Sequence, residues 1–292
     1  MKLAMFSEDG AGPRLGVVDR DRIADVGAAD PALPATIHQV FEQDALPRVA
    51  AAVRTAPWLA LDAVKLAAPI ARPGKFLALG INYKAHVAEM KERMPAFEPP
   101  AVQVWFNKQV TSVAGPFDPI QKPLVSDMLD YEGELAFVIG KRCRHVPRAD
   151  ALQVIGGFLV CNDVSVRDWQ MASPTQTMGK SFDTHGPLGP WIVTTDEIPD
   201  AQDLRVRTWV NGELRQDYST ADMVHTCAEM VEHLSKAMTL EPGDVITTGT
   251  SVGNGVLRDP PVLLKKGDVV KVEIEGIGAI ENPVVDEDGA GA

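Results

Sequence analysis

The sequence predicts an α+β protein in which strands predominate, with a small N-terminal α/β domain over residues 1–70 and a larger domain over 75–288. Three observations carry this. Short strand-like runs recur along the whole chain, a single clear helix interrupts them in the larger domain, and no β-α-β rhythm exists to build a doubly wound parallel sheet. Neither G-x-G-x-x-G nor G-x-x-x-x-G-K-[ST] occurs, which removes the two common nucleotide fingerprints.

In order, Lys2–Phe6, Leu15–Val18 and Arg22–Val26 read as strands. Asp9-Gly10-Ala11-Gly12-Pro13 and Asp19-Arg20-Asp21 break them. An Ala-rich helix is predicted over Ile37–Arg54, where Leu46, Val49 and Val53 recur at helical spacing. Pro69, Pro73 and Gly74 mark a linker over Ala68–Gly74. This first domain carries no evident chemistry and reads as a packing or dimer-contact module. Further strands are expected at Phe76–Leu79, Val102–Phe106, Leu135–Ile139, Gly157–Val160, Trp191–Thr194, Val206–Val210, Val245–Thr248, Val269–Ile274 and Ala279–Val284. Asn211-Gly212 is the strongest hairpin signal, because both turn positions tolerate a positive φ. The clear helix is expected to open at Ser219 and Asp222 and run through Met223, Cys227, Met230, Val231 and Leu234.

Hydrophobic residues at 45% and charged residues at 23% are ordinary globular usage, and 292 residues can bury a large core. With 28 basic and 40 acidic residues the formal charge is -12, which repels phosphate backbones and anionic membranes. No nucleic-acid or membrane partner is therefore expected. An acidic substrate would need a locally positive pocket, and a divalent cation is one way to make it. Cys143, Cys161 and Cys227 are scattered without a C-x-x-C pair, so neither a zinc cage nor a disulfide framework is indicated. The opening residues meet Ser7, Glu8 and Asp9 too soon for a signal-peptide core. The longest smooth apolar run, Ala151–Cys161, falls well short of the roughly 20 residues a membrane span needs. The expectation is a soluble, cytoplasmic protein.

Gly249-Thr250-Ser251-Val252-Gly253 matches the G-x-S-x-G nucleophile elbow. That chemistry needs a helix after the serine and a later histidine. Here Asn254-Gly255 and Pro260-Pro261 follow, and the last histidine is His233, so Ser251 is not expected to be a nucleophile. The informative segment is Asp130-Tyr131-Glu132-Gly133-Glu134-Leu135-Ala136-Phe137-Val138-Ile139. On a strand, Glu132 and Glu134 share a face with Ala136 and Val138, while Leu135, Phe137 and Ile139 fill the other. Two carboxylates on a buried face repel each other and lose hydration, and a divalent cation is the usual remedy. A bare E-x-E also fits a solvated strand end. Asp163, closing the apolar run Ile155–Asn162, offers a third carboxylate, and three oxygens suit Mg²⁺. Lys180 lies in the polar turn Gly179–Asp183.

These residues resemble the fumarylacetoacetate hydrolase family, in one collinear order from about Phe76 to Val285. The motifs include Leu79–Glu89, Phe106-Asn107-Lys108, Asp130–Leu135, Asn162–Asp168, Gly179–Asp183 and Gly186–Trp191. Trp209–Glu213, Leu240–Ile246 and Thr248-Gly249-Thr250 complete the series. The resemblance implies a mixed β-sandwich roll that holds one Mg²⁺ or Mn²⁺, usually in a homodimer. It implies Glu132, Glu134 and Asp163 as metal ligands, and Lys180 as the active-site lysine. Arg167, Gln170 and Thr250 match positions that contact substrate. His86 and Glu89 match the histidine and glutamate of a short lid helix, where i,i+3 spacing puts both on one face. The family usually has a proline after Gly-Thr where this chain has Ser251, so a looser loop is expected around Thr250. His145, His185, His225 and His233 have no motif support and read as structural.

The chemistry so implied is formation of a carbanion or enolate beside an α-keto acid. The first expectation is a metal-dependent hydrolase cleaving a C–C bond in an acylpyruvate- or fumarylpyruvate-type 2,4-diketo acid, in aromatic or sugar-acid catabolism. In it His86, oriented by Glu89, activates water, and Lys180 stands by the released enolate. The alternative is a decarboxylase or keto–enol isomerase on a related 2-oxo dioic acid. A more distant one is a binding protein that keeps the fold without turnover.

Overall fold

The computed structural model describes residues 1–8 and 10–288. Asp9, part of the first predicted break, lies outside the described residues. Alternating and continuous apolar runs form strands close to where the sequence places them; Ile155–Asn162 and Gly186–Thr194 run four and five residues longer than expected, and the strand expected at Val102–Phe106 begins only at Val104. The strands form two main sheets.

The larger sheet has 12 strands. Its central part runs Gly186–Thr194, Ile155–Asn162, Gly133–Ile139, Val245–Thr247, Phe76–Gly80 and Val104–Asn107. Most neighbours are antiparallel, but Val245–Thr247 lies parallel to Phe76–Gly80, so the sheet is mixed. A second sheet of five strands contains Glu213–Ser219, Arg205–Val210, Val269–Ile274, Gly278–Asp286 and Ile120–Lys122. The Asn211-Gly212 turn forms as the sequence predicts, with φ of 53° and 78° at its two residues. Strand Lys2–Ser7 pairs antiparallel with Gly186–Thr194, so the N-terminal strands Arg14–Asp19 and Arg22–Asp25 extend the larger sheet through it.

The strand Gly133–Ile139 is buried along its whole length. Leu135, Phe137 and Ile139 enter one core with Val206, Val270 and Ile280 of the five-stranded sheet. Ala136 and Val138 enter another, packed against Ile37, Val40 and Phe41. The period of two therefore assigns alternate side chains to different cores. A strand covered on both faces is a stiff mount for the two glutamates near its start.

Two helices differ from expectation. The predicted helix Ile37–Arg54 is split into Ile37–Glu42 and Leu46–Ala52. Asp44 adopts φ of 49° between them, and Pro47 occupies the first turn of the second, where its missing N–H costs nothing. The later helix starts at Cys227 rather than near Ser219. Thr226 and Glu229 form a reciprocal capping box there, whereas Ser219 caps only the short turn Thr220–Asp222. Among the described residues no helix is long and apolar enough to cross a membrane.

Candidate active site with a buried carboxylate cluster

Pairing between Gly133–Ile139 and Ile155–Asn162 sets Gly133 opposite Asn162. The register is held at this end by two bonds: the Asp163 N–H donates to the Glu132 carbonyl at 2.8 Å, and the Glu132 N–H to Asn162 Oδ1 at 3.0 Å. Residues thirty positions apart thereby become neighbours. Glu132, Glu134 and Asp163 each offer an oxygen, all within 4.8 Å of one another, and all three residues are buried.

Three cations surround this cluster. Lys180 Nζ donates to Glu132 Oε2 at 2.5 Å and to Asp163 Oδ2 at 2.8 Å. Lys108 Nζ donates to Asp163 Oδ1 at 2.7 Å. Arg167 meets Glu132 Oε1 at 2.7 Å and holds Asp130 Oδ2 with its Nε and Nη2 at 2.9 and 2.7 Å. Burial alone would raise the Glu132 carboxyl, but the charges of Arg167 and Lys180 outweigh it and hold it down to about 2. For Lys180, burial opposes the charge, while Asp163 and Glu132 more than restore it and push its pKa up.

Glu134 is different. It accepts the Gly249 N–H at 3.0 Å and forms no salt bridge among the described residues. Burial, then the charges of Asp163 and Glu132, push its carboxyl well above the usual range. Counting Asp130, the site sets four carboxylates against three cations, an excess of one negative charge. A hard divalent cation fits such an all-oxygen donor set. With one bound, the sign of the site reverses and an anion becomes welcome.

A cavity of about 570 Å³ lies over the cluster, within the usual range for small-molecule sites. Glu132, Glu134, Asp163, Lys180, Arg167, Gln170, Thr250 and His86 all line it, so the structure brings these predicted site residues together. His86 is the buried residue of helix Lys84–Arg93, and its Nδ1 lies 3.1 Å from Glu89 Oε2. A carboxylate at this nitrogen fixes Nδ1–H as the donor and leaves Nε2 as the free base. Gln170 Oε1 accepts from Arg167 Nη1 at 2.9 Å.

The loop after Thr248 is tighter than the missing proline predicts. Thr250 Oγ1 donates to the Gly133 carbonyl at 3.0 Å and accepts from Gln216 Nε2 at 2.8 Å. Further along, the Gly255 and Val256 N–H groups donate to Asp130 at 2.7 and 3.0 Å, and Tyr131 Oη donates to the Gly253 carbonyl at 2.9 Å. Side chains from distant strands supply the restraint a proline would have given. Ser251 is fully buried, and among the described residues its Oγ has no partner and no helix follows it, so the elbow pattern is not built. His185 is also fully buried, with Nε2 2.8 Å from the Gln121 carbonyl.

The sequence alone does not mark Lys108, Asp130 or Asn254 as site residues. Lys108 and Asp130 sit inside motifs that were legible, but only the fold brings them to Asp163 and Arg167. Asn254 lies between two glycines and carries no motif at all.

Comparison with known proteins gives a consistent result. The fumarylacetoacetate (FAA) hydrolase C-terminal family matches residues 75–285. The mitochondrial oxaloacetate tautomerase fahd2 of Xenopus laevis is 43% identical over 98% of this chain and 90% of its own. The human mitochondrial oxaloacetate tautomerase FAHD2A is 42% identical over 94% and 88%. A plain cytoplasmic assignment does not match these mitochondrial relatives. Among solved structures, fumarylacetoacetate hydrolase from Exiguobacterium antarcticum superposes with a TM-score of 0.85 at 38% identity, covering 98% of this chain and 100% of that one. Maleylpyruvate hydrolase from Sphingobium sp. SYK-6, in complex with manganese(II) and pyruvate, gives 0.81 at 34%, covering 99% and 100%. Family match, full-length relatives and shared fold agree: the chain belongs to the fumarylacetoacetate hydrolase family.

Proposed function

We propose that the protein is a metal-dependent keto–enol tautomerase of a small 2-oxo dioic acid of the oxaloacetate type. The observation that carries this reading is one cavity lined by both a three-carboxylate cluster and His86, whose Nδ1 lies 3.1 Å from Glu89 Oε2. The similarity to oxaloacetate tautomerases along nearly the whole chain supports it. Glu132, Glu134 and Asp163 would hold Mg²⁺ or Mn²⁺, which supplies Lewis-acid charge beside the 2-oxo and carboxylate oxygens of a substrate. His86 Nε2 takes a proton from C3, and a proton is returned on the 2-oxo oxygen. The C3–H pair becomes the C2=C3 double bond, the C2=O π pair moves to oxygen, and that oxygen takes the proton, so nothing is oxidised and no fragment leaves. Glu89 orients the imidazole through Nδ1. Lys180 and Arg167 keep the carboxylates in place and add positive charge.

Hydrolysis of a C–C bond in a 2,4-diketo acid is the second reading, supported by the likeness to maleylpyruvate hydrolase. There the same imidazole would take its proton from a water attacking the remote carbonyl. The proposal extends to a homodimer, which the exposed apolar side chains Phe117, Leu124 and Val125 support.

The test is spectroscopic. With Mg²⁺ or Mn²⁺ present, the protein should speed decay of the enol absorbance of oxaloacetate, and His86→Ala should not. No acceleration, together with release of pyruvate from acylpyruvates, would replace the first reading with the second.

A further inference from the structure

The cavity over the carboxylate cluster changes character with depth. Every charged side chain that lines it is buried: Glu132, Glu134 and Asp163, with the basic groups His86, Arg167 and Lys180. The exposed members of the lining are Met94, Met171 and Pro174, and all three are apolar. Met94 is 44% exposed and Met171 is 70% exposed. A charged floor therefore gives way to an uncharged mouth that carries two thioethers.

Two helices run from floor to mouth. On Lys84–Arg93, buried His86 is followed at i+4 by half-buried Met90, and Met94 caps the end one turn later. All three line the cavity, and each turn adds about 6 Å along the axis. On Arg167–Met171, Arg167 meets Glu132 on the floor while Met171 ends the helix in the mouth. A four-carbon dioic acid keeps both carboxylates near the cations of the floor. The volume of about 570 Å³ is that of a site for larger ligands. A longer substrate with its 2-oxo acid head on the floor must send its tail into the mouth. There a second carboxylate would meet no cation among the lining residues, whereas a hydrocarbon tail would leave water. Thioethers adapt their shape and contact aromatic rings favourably.

We infer that the protein has a second activity, the keto–enol tautomerisation of 2-oxo monocarboxylic acids that carry an aryl ring on C3, with the ring held against Met90, Met94 and Met171. The inference rests on the tautomerase reading of the site and extends it to a substrate without a second carboxylate. His86 Nε2 takes the C3 proton and the C3–H pair becomes the C2=C3 double bond. The C2=O π pair moves to oxygen, which takes a proton, so nothing is oxidised and nothing leaves. A ring on C3 conjugates with the new double bond, which makes that proton easier to remove.

The test follows the enol absorbance of phenylpyruvate and of oxaloacetate, each with Mg²⁺ or Mn²⁺ present. The protein should speed the decay of both, and His86→Ala should speed neither. Glutamine has the length of methionine without its apolar sulfur. Met94→Gln combined with Met171→Gln should therefore raise KM for phenylpyruvate by about tenfold, keep its kcat, and leave oxaloacetate kinetics unchanged. Met94→Leu combined with Met171→Leu stays apolar and should hold the KM for phenylpyruvate near that of wild type. Acceleration of oxaloacetate alone overturns the inference and leaves the reading of the site in place. So does a glutamine variant that shifts both substrates together or neither. Acceleration of phenylpyruvate alone supports the inference and removes the dioic acid from the reading. Acceleration of neither overturns the tautomerase reading, and the inference with it.

Discussion

The strand Gly133–Ile139 and the helix Lys84–Arg93 face the same cavity but are held in opposite ways. The strand is buried at all seven positions and shares its side chains between two cores. The helix is buried only at His86, and it is anchored at its start, by the Ala85 N–H to Asp222 and by the buried Tyr83, which bridges to Met223. Segments with little buried apolar surface open at low free-energy cost. The difference separates two tasks. Carboxylates that must stay close despite repulsion sit at the ends of rigid strands, and the proposed acid–base pair sits on a helix with little buried surface.

The largest expected effect is on the rigid half. Chelator-treated protein should lose activity completely and recover with Mg²⁺ or Mn²⁺. Glu134→Gln should lower Mn²⁺ affinity by at least about 100-fold with native circular dichroism, since this carboxyl has no cation partner to lose. Full activity after metal stripping would remove the carboxylate cluster from the chemistry.

Next comes the mobile half. His86→Ala should reduce kcat by about 10²–10⁴ while hardly changing the melting temperature. Glu89→Ala should be milder, and the double variant little worse than His86→Ala alone, as for groups acting as one unit. Losses that multiply would mean that His86 works with a different partner.

Stability should divide the two elements directly. Phe137→Ala should cost about 3–5 kcal/mol in urea unfolding, whereas Val87→Ala on the helix should stay within roughly 1 kcal/mol. Amide exchange should be fast across Lys84–Arg93 and slow along the strand. Equal costs or equal protection would end the comparison.

A smaller effect is expected at His185. Burial, the main cause, pushes its pKa down to about 3 from an unfolded value near 6.5. Between those values the unfolded chain binds a proton that the native one does not. The stabilisation is complete above about 6.5 and is lost as pH falls towards 3. His185→Gln should flatten that slope in pH-dependent melting. Smallest of all, Ser251→Ala should leave turnover within about twofold, since the hydroxyl is buried and unpartnered.

Much of this protein was readable from local pattern. Alternation around Glu132 and Glu134 predicts a doubly buried strand, Asn211-Gly212 predicts its hairpin, and the family resemblance implies the His86–Glu89 pair, which i,i+3 spacing puts on one face. Each depends on residues a few positions apart, where backbone geometry alone decides who faces whom. The split at Asp44 and Pro47 shows the limit of that logic, since helical spacing continues across a break that turn chemistry imposes.

What the sequence by itself determined, then, are the strands, their faces and the residue types that can hold a metal. Only the tertiary structure decided that Asp163 meets Glu132, that Lys108 and Asp130 join them, and that Asn254 is clamped into the cavity wall. Those meetings depend on strand register and on bonds between segments up to 125 positions apart, as between Gly255 and Asp130. No local periodicity encodes them, because the free energy that selects them comes from burying both faces of one strand at once.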